Sequence, residues 1–147
     1  MRASTTGLPR SVTPDVSASF EIPSRTPAID DARVWMSGHL RAAGASADLV
    51  WECELALTEA LSNVIRHAYK GDGSRRVELA LHVRDDQVTV EIVHHGEPFD
   101  PEAYRRPDLD AAAPGGYGLH LIRRLMDNVE QTEAPGSGTR IRLTKRR

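Results

Sequence analysis

Between Val77 and Ile92 the chain alternates apolar and polar residues twice over, and this alternation constrains the fold more than any other feature. Val77, Leu79, Leu81 and Val83 alternate with Glu78, Ala80, His82 and Arg84; Asp85-Asp86 makes a turn; Val88, Val90 and Ile92 then alternate with Thr89, Glu91 and Val93. Successive side chains of a strand point to opposite faces, so the pattern predicts two strands joined by a tight turn, one face on a core and the other in water. A one-sided sheet needs a cover, and the rest of the chain supplies it.

Ile29, Val34, Trp35 and Leu40 predict a first helix from Pro27 to about Ala43, ended near Gly44. Ser46 or Asp48 caps a second, which runs to about Tyr69 and is stopped by Gly71-Asp72-Gly73. Leu119, Ile122, Leu125, Met126 and Val129 predict a third, after Gly115-Gly116-Tyr117-Gly118. Ala18, Phe20 and Ile22 mark a first strand closed by Pro23; Thr139, Ile141 and Leu143 mark a last one. The expected fold class is α/β, a two-layer sandwich with a mixed, mostly antiparallel sheet and helices on one face.

A chain of 147 residues suits one domain, here 16–147 after a flexible Ser/Thr/Pro/Gly-rich leader over 1–15. Its formal net charge of -2 gives no electrostatic case for nucleic acid or an anionic membrane as partner. Lys145-Arg146-Arg147 reads as a solvated tail. The single cysteine, Cys53, excludes an internal disulfide framework and reads as a buried core thiol. No stretch is apolar enough to span a bilayer, and the N-terminus has no apolar block, so a cytoplasmic protein is expected by default.

The second helix carries more than a core face. Leu57, Ala60, Leu61, Val64 and Ala68 recur at helical spacing, while Glu59, Asn63 and His67 follow one another a turn apart on a neighbouring stripe. Glu59 can take a proton from an attacking hydroxyl or water, and Asn63 can offer an oxygen to a hard cation such as Mg²⁺, which brings phosphates with it. On the helix alone, a surface Glu and a capped Asn explain the stripe equally well. His94-His95-Gly96 ends the second of the paired strands, with His94 on the core face and Gly96 allowing close backbone approach. Adjacent strand positions point opposite ways, so the two histidines do not share a metal. Gly116 and Gly118 open a helix whose free N–H groups suit an anion, without the Gly-Lys-Ser/Thr of a P-loop. Between them, Pro98–Pro114 has little periodicity. Thr139 faces inward on the last strand, as a plain β-former also would.

In order, these segments resemble the histidine-kinase-like ATPase fold shared with gyrase and MutL, and most closely the small bacterial anti-sigma factor serine/threonine kinases. The resemblance rests on Thr58-Glu59-Ala60-Leu61-Ser62-Asn63 with His67-Ala68-Tyr69, on Gly96 with Phe99-Asp100-Pro101, on Gly116-Tyr117-Gly118-Leu119-His120-Leu121-Ile122, and on Gly138-Thr139. It implies an ATP- and Mg²⁺-dependent serine kinase of a small antagonist (anti-anti-sigma) protein, which also binds a sigma factor in a partner-switching pathway that regulates transcription. Such proteins are usually homodimers. It further implies Glu59 as base, Asn63 on Mg²⁺, and a cofactor site of Asn63, His67, His94, Gly96, Gly116, Gly118, Leu119 and Thr139, with 98–114 as lid. One position departs: where the family has an aspartate that accepts from the adenine amine, this chain has His94. Neutral imidazole can accept that bond and imidazolium cannot, so ATP affinity is expected to fall as pH drops through roughly 6.5. The same change supports an alternative, a non-catalytic partner-binding module with weakened or lost ATP binding.

Overall fold

A computed structural model describes residues 15–99 and 116–147 of the chain. The expected leader and lid lie outside these residues, apart from Asp15, Pro98 and Phe99. The elements follow as β1 (Val16–Pro23), α1 (Ala28–Ala42), α2 (Ala47–Asn63), a π-helical turn (Val64–Ala68), β2 (Arg76–Val83), β3 (Gln87–His94), α3 (Gly116–Leu125), β4 (Asn128–Ala134) and β5 (Gly138–Arg146). The sheet runs β1-β2-β3-β5-β4, and every pairing among the described residues is antiparallel. The expected mixture of directions is therefore absent from them.

Alternation does what the sequence requires of it. Val77, Leu79, Leu81 and Val83 of β2, Val88, Val90 and Ile92 of β3, and Ile141 and Leu143 of β5 are all buried. They meet Met36 and Leu40 of α1, Ala56, Leu57 and Leu61 of α2, and Ile122 of α3 in one core. The other face is polar, and Glu91 at its centre accepts from Arg142 at 2.7 Å and lies 3.7 Å from His82.

Local chemistry sets the helix ends. Ser46 Oγ accepts the Leu49 N–H at 3.1 Å and starts α2. Gly44, at φ +79°, lets its own N–H and that of Ala45 turn back onto the carbonyls of Arg41 and Leu40, closing α1 as a Schellman turn. Phe20 stacks on Trp35 with ring centroids 5.4 Å apart, which fixes β1 against α1. Cys53 is buried on the core face of α2, and burial pushes its thiol up to about 12.

Three expectations are corrected. The second helix is not uniform to Tyr69: from Val64 the bonds widen, with Tyr69 N–H on Val64 O at 2.9 Å. The third helix stops at Leu125, and Val129 belongs to the edge strand β4, only one side of which is paired. The basic ending is not a free tail. Lys145 Nζ donates to the last carbonyl of α3, Leu125, at 2.6 Å and pairs with Glu52 at 3.5 Å, while Arg147 donates to Ala43 beyond α1 at 2.8 Å. Cations at helix C-termini satisfy orphan carbonyls and oppose the helix dipole.

Candidate functional site

The polar stripe of α2 is graded along its length. Glu59 is half-buried, Asn63 is buried and His67 is exposed. The N-terminal turn of α3 crosses this stripe at Gly118, where a side chain would press on the Glu59 carboxylate. A Cβ there would stand 2.7 Å from Glu59 Oε2 and 3.8 Å from Asn63 Nδ2. Asn63 Nδ2 is buried without a hydrogen-bond partner among the described residues, a costly state for a polar group. Glu59, Asn63 and Gly118 thus form one group; Gly116 begins the same helix, and Leu119 turns partly into the core.

A second group lies at the end of β3. His94 is 0% exposed and pairs across the sheet with Thr139, itself buried. Phe99 stands edge-on to both His94, at 6.5 Å between ring centroids, and His67, at 6.3 Å. Gly96 is pressed onto the end of the π-turn: a Cβ on it would meet the Ala68 backbone and the Tyr69 ring at well under contact distance. The Glu97 N–H then reaches Ala68 O at 2.9 Å. The π-turn thus carries the α2 stripe across to β3, and His67 with Phe99 joins the two groups.

His94 is not free to act as the sequence suggests. Its Nδ1 accepts the Gly96 N–H at 3.1 Å, which leaves the ring proton on Nε2. Nε2 is buried and has no partner among the described residues. Burial, and secondarily the charge of His95, pull its pKa from 6.5 down to about 4. The expected loss of ligand affinity near pH 6.5 therefore moves well below it, and the acceptor expected for an adenine amine is already in use.

Two supporting residues had no assigned role in the sequence. The Tyr69 hydroxyl accepts the His95 N–H at 2.9 Å and donates to Arg76 O at 2.7 Å, under the Arg75 guanidinium at 4.7 Å from its ring. Gln131 of β4 clasps the Phe99 backbone, accepting its N–H at 3.3 Å and donating to its carbonyl at 2.8 Å. Tyr69 stood in a recognised motif, but no spacing rule shows where a hydroxyl will land. Gln131 lies in a strand whose residues do not alternate. Beside it, a cleft of about 530 Å³ opens between Pro98, Gln131, Glu133, Gly138 and Thr139.

Known proteins resemble this chain in sequence and in fold. The histidine kinase-like ATPase domain family matches residues 22–145. The chain is 32% identical over 135 residues to the serine-protein kinase RsbW of Staphylococcus epidermidis, covering 86% of this chain and 84% of that one. To the serine-protein kinase RsbW of Halalkalibacterium halodurans it is 31% identical over 132 residues, covering 84% and 79%. The crystal structure of the RsbU and RsbW domains of a Mycobacterium tuberculosis protein superposes with a TM-score of 0.65 at 18% identity, covering 89% of this chain and 32%, about a third, of that longer one. The SiaB–SiaC complex of Pseudomonas aeruginosa also gives 0.65, at 15% identity, covering 86% and 88%. At these identities the two structures bear on fold alone.

Proposed function

Because the chain belongs to the histidine kinase-like ATPase domain family, we propose that it uses a purine nucleoside triphosphate with Mg²⁺, ATP in the family at large, to phosphorylate a serine of a small partner protein. The setting is partner switching: an anti-sigma-factor-type kinase that acts on its antagonist, works in the cytoplasm and forms a homodimer. The observation that carries the reading is the slot at Gly118, where glycine faces a carboxylate and a buried amide whose donor is unpartnered.

The residues fit the phosphate end of such a ligand. Bound nucleotide and its cation supply the transferable phosphoryl group and neutralise its charge. Asn63 would hold phosphate through its amide nitrogen or the cation through its amide oxygen. Gly118 leaves room beside it, and the N–H groups opening α3 face an anion. Glu59 takes the proton of the partner's serine hydroxyl, a task worth about 10²-fold or more in rate.

Incubation with γ-labelled nucleotide and the cognate antagonist tests this. Glu59→Ala should label the antagonist at least about 10²-fold more slowly than wild type. Equal labelling would remove Glu59 from the role of base, and no labelling by either protein would end the kinase reading. A second reading, a partner-binding module with weakened ATP binding, is favoured by one observation, the occupied acceptor of His94. Calorimetry with Mg²⁺ separates the two, since heat at micromolar nucleotide sinks the module.

A further inference from the structure

We propose that the buried ring donor of His94 makes this chain select a 6-oxopurine nucleotide, with guanine or hypoxanthine as base, over an adenine nucleotide. The inference rests on the nucleotide reading above and concerns only which base is taken.

Three observations support it. The Gly96 N–H occupies Nδ1 of His94 at 3.1 Å, so the neutral ring has one hydrogen-bonding atom left, and that atom is a donor. The donor, Nε2, lies on a fully buried side chain and has no partner. None of the described residues accepts from it. The Tyr69 hydroxyl is engaged by His95 and Arg76, and the Phe99 ring stands edge-on to His94. Buried donors are nearly always satisfied, and of the four buried unpartnered side-chain atoms among the described residues two, Asn63 Nδ2 and His94 Nε2, fall in the candidate site, which points to acceptors brought by a ligand.

The chemistry of the purine 6-position then decides. Adenine presents an amine there, which sets donor against donor and leaves two buried groups unpaired. Guanine and hypoxanthine present a carbonyl oxygen, which accepts from Nε2. Sites that hydrogen-bond a ligand group reject analogues lacking it much more strongly than apolar pockets reject a change of size. With its pKa near 4, the ring keeps this single-donor form throughout the neutral range.

The experiment is equilibrium binding of GTP, ITP and ATP to the full chain with Mg²⁺, with ¹⁵N NMR of the histidine rings alongside. GTP and ITP should each bind about tenfold or more tighter than ATP. ITP separates the ring carbonyl from guanine's extra amine. His94→Asp, which presents only acceptors, should reverse the order. Should that variant not fold, the wild-type order decides without it. The free protein should show His94 protonated at Nε2, and ITP should shift that nitrogen more than Nδ1. Wild-type ATP binding as tight as GTP and ITP, or a proton on Nδ1, overturns the base preference and leaves the kinase reading standing. Absence of binding by every nucleotide overturns both.

Discussion

His94 is buried neutral, and that makes the fold itself sensitive to acid. Its pKa is 6.5 when unperturbed and about 4 in the folded chain. Between those values the unfolded chain binds the proton and the folded one does not, so stability rises with pH across the window. The contribution is complete above pH 6.5 and is lost as pH falls toward 4, to a total of roughly 3 kcal/mol at most. Urea titrations from pH 7.5 down to 4 should show wild type losing stability more steeply than His94→Gln, after the carboxylates common to both are subtracted. Parallel curves would place the ring's proton elsewhere. His95, one residue on, points to the opposite side and approaches Gly138 instead, where a Cβ would stand 2.7 Å from its Cε1. Two identical neighbours thus take unrelated tasks because a strand turns alternate residues to alternate faces.

At the scale of elements, two glycines hold the site together, and substitution should separate their roles. Gly96 faces backbone, the Ala68 carbonyl, which cannot move without opening the π-turn. Gly96→Ala should cost about 3 kcal/mol or more of stability in denaturant unfolding. Gly118 faces the tip of the Glu59 carboxylate, which can swing aside. Gly118→Ala should leave unfolding within about 1 kcal/mol of wild type while weakening nucleotide binding at least about tenfold. Equal loss of stability in the two variants would refute the distinction. Both glycines stood out in the sequence, yet what each one faces did not. Alternation announced β2, β3 and β5 because their inward residues are mostly apolar, the exceptions being His94 and Thr139 at the site end. It missed β4, whose Val129, Gln131 and Glu133 share one side of an edge strand and mix apolar with polar. The π-turn left no mark either, since Val64 to Ala68 keeps an ordinary helical pattern, and the contact of Ala68 O with the Glu97 N–H is visible only in the fold. The basic ending misled for a related reason. Charge suggests solvent, and only the fold brings Lys145 and Arg147 to the open ends of α3 and α1.

Among the described residues the molecule is a single layer of five strands covered on one side by three helices, none of them long and apolar enough to cross a membrane. With one core, opening any part of the cover exposes much of it, so unfolding should be cooperative. Cys53 sits 1% exposed within that core, with its thiol pushed up to about 12, and it is the chain's single cysteine. Thiolate, not thiol, attacks a disulfide reagent, so the folded chain should be almost inert at pH 8. Modification should run roughly 10³-fold or more slower than in urea-unfolded chain and accelerate with denaturant along the global unfolding curve. Rapid modification without denaturant would mean that α2 opens alone. A nucleotide that binds the folded chain should slow the reaction further in proportion to its saturation. The secluded sulfur is in effect a timekeeper: the wait before it reacts counts how seldom the protein comes apart, and lengthens when a ligand holds it closed.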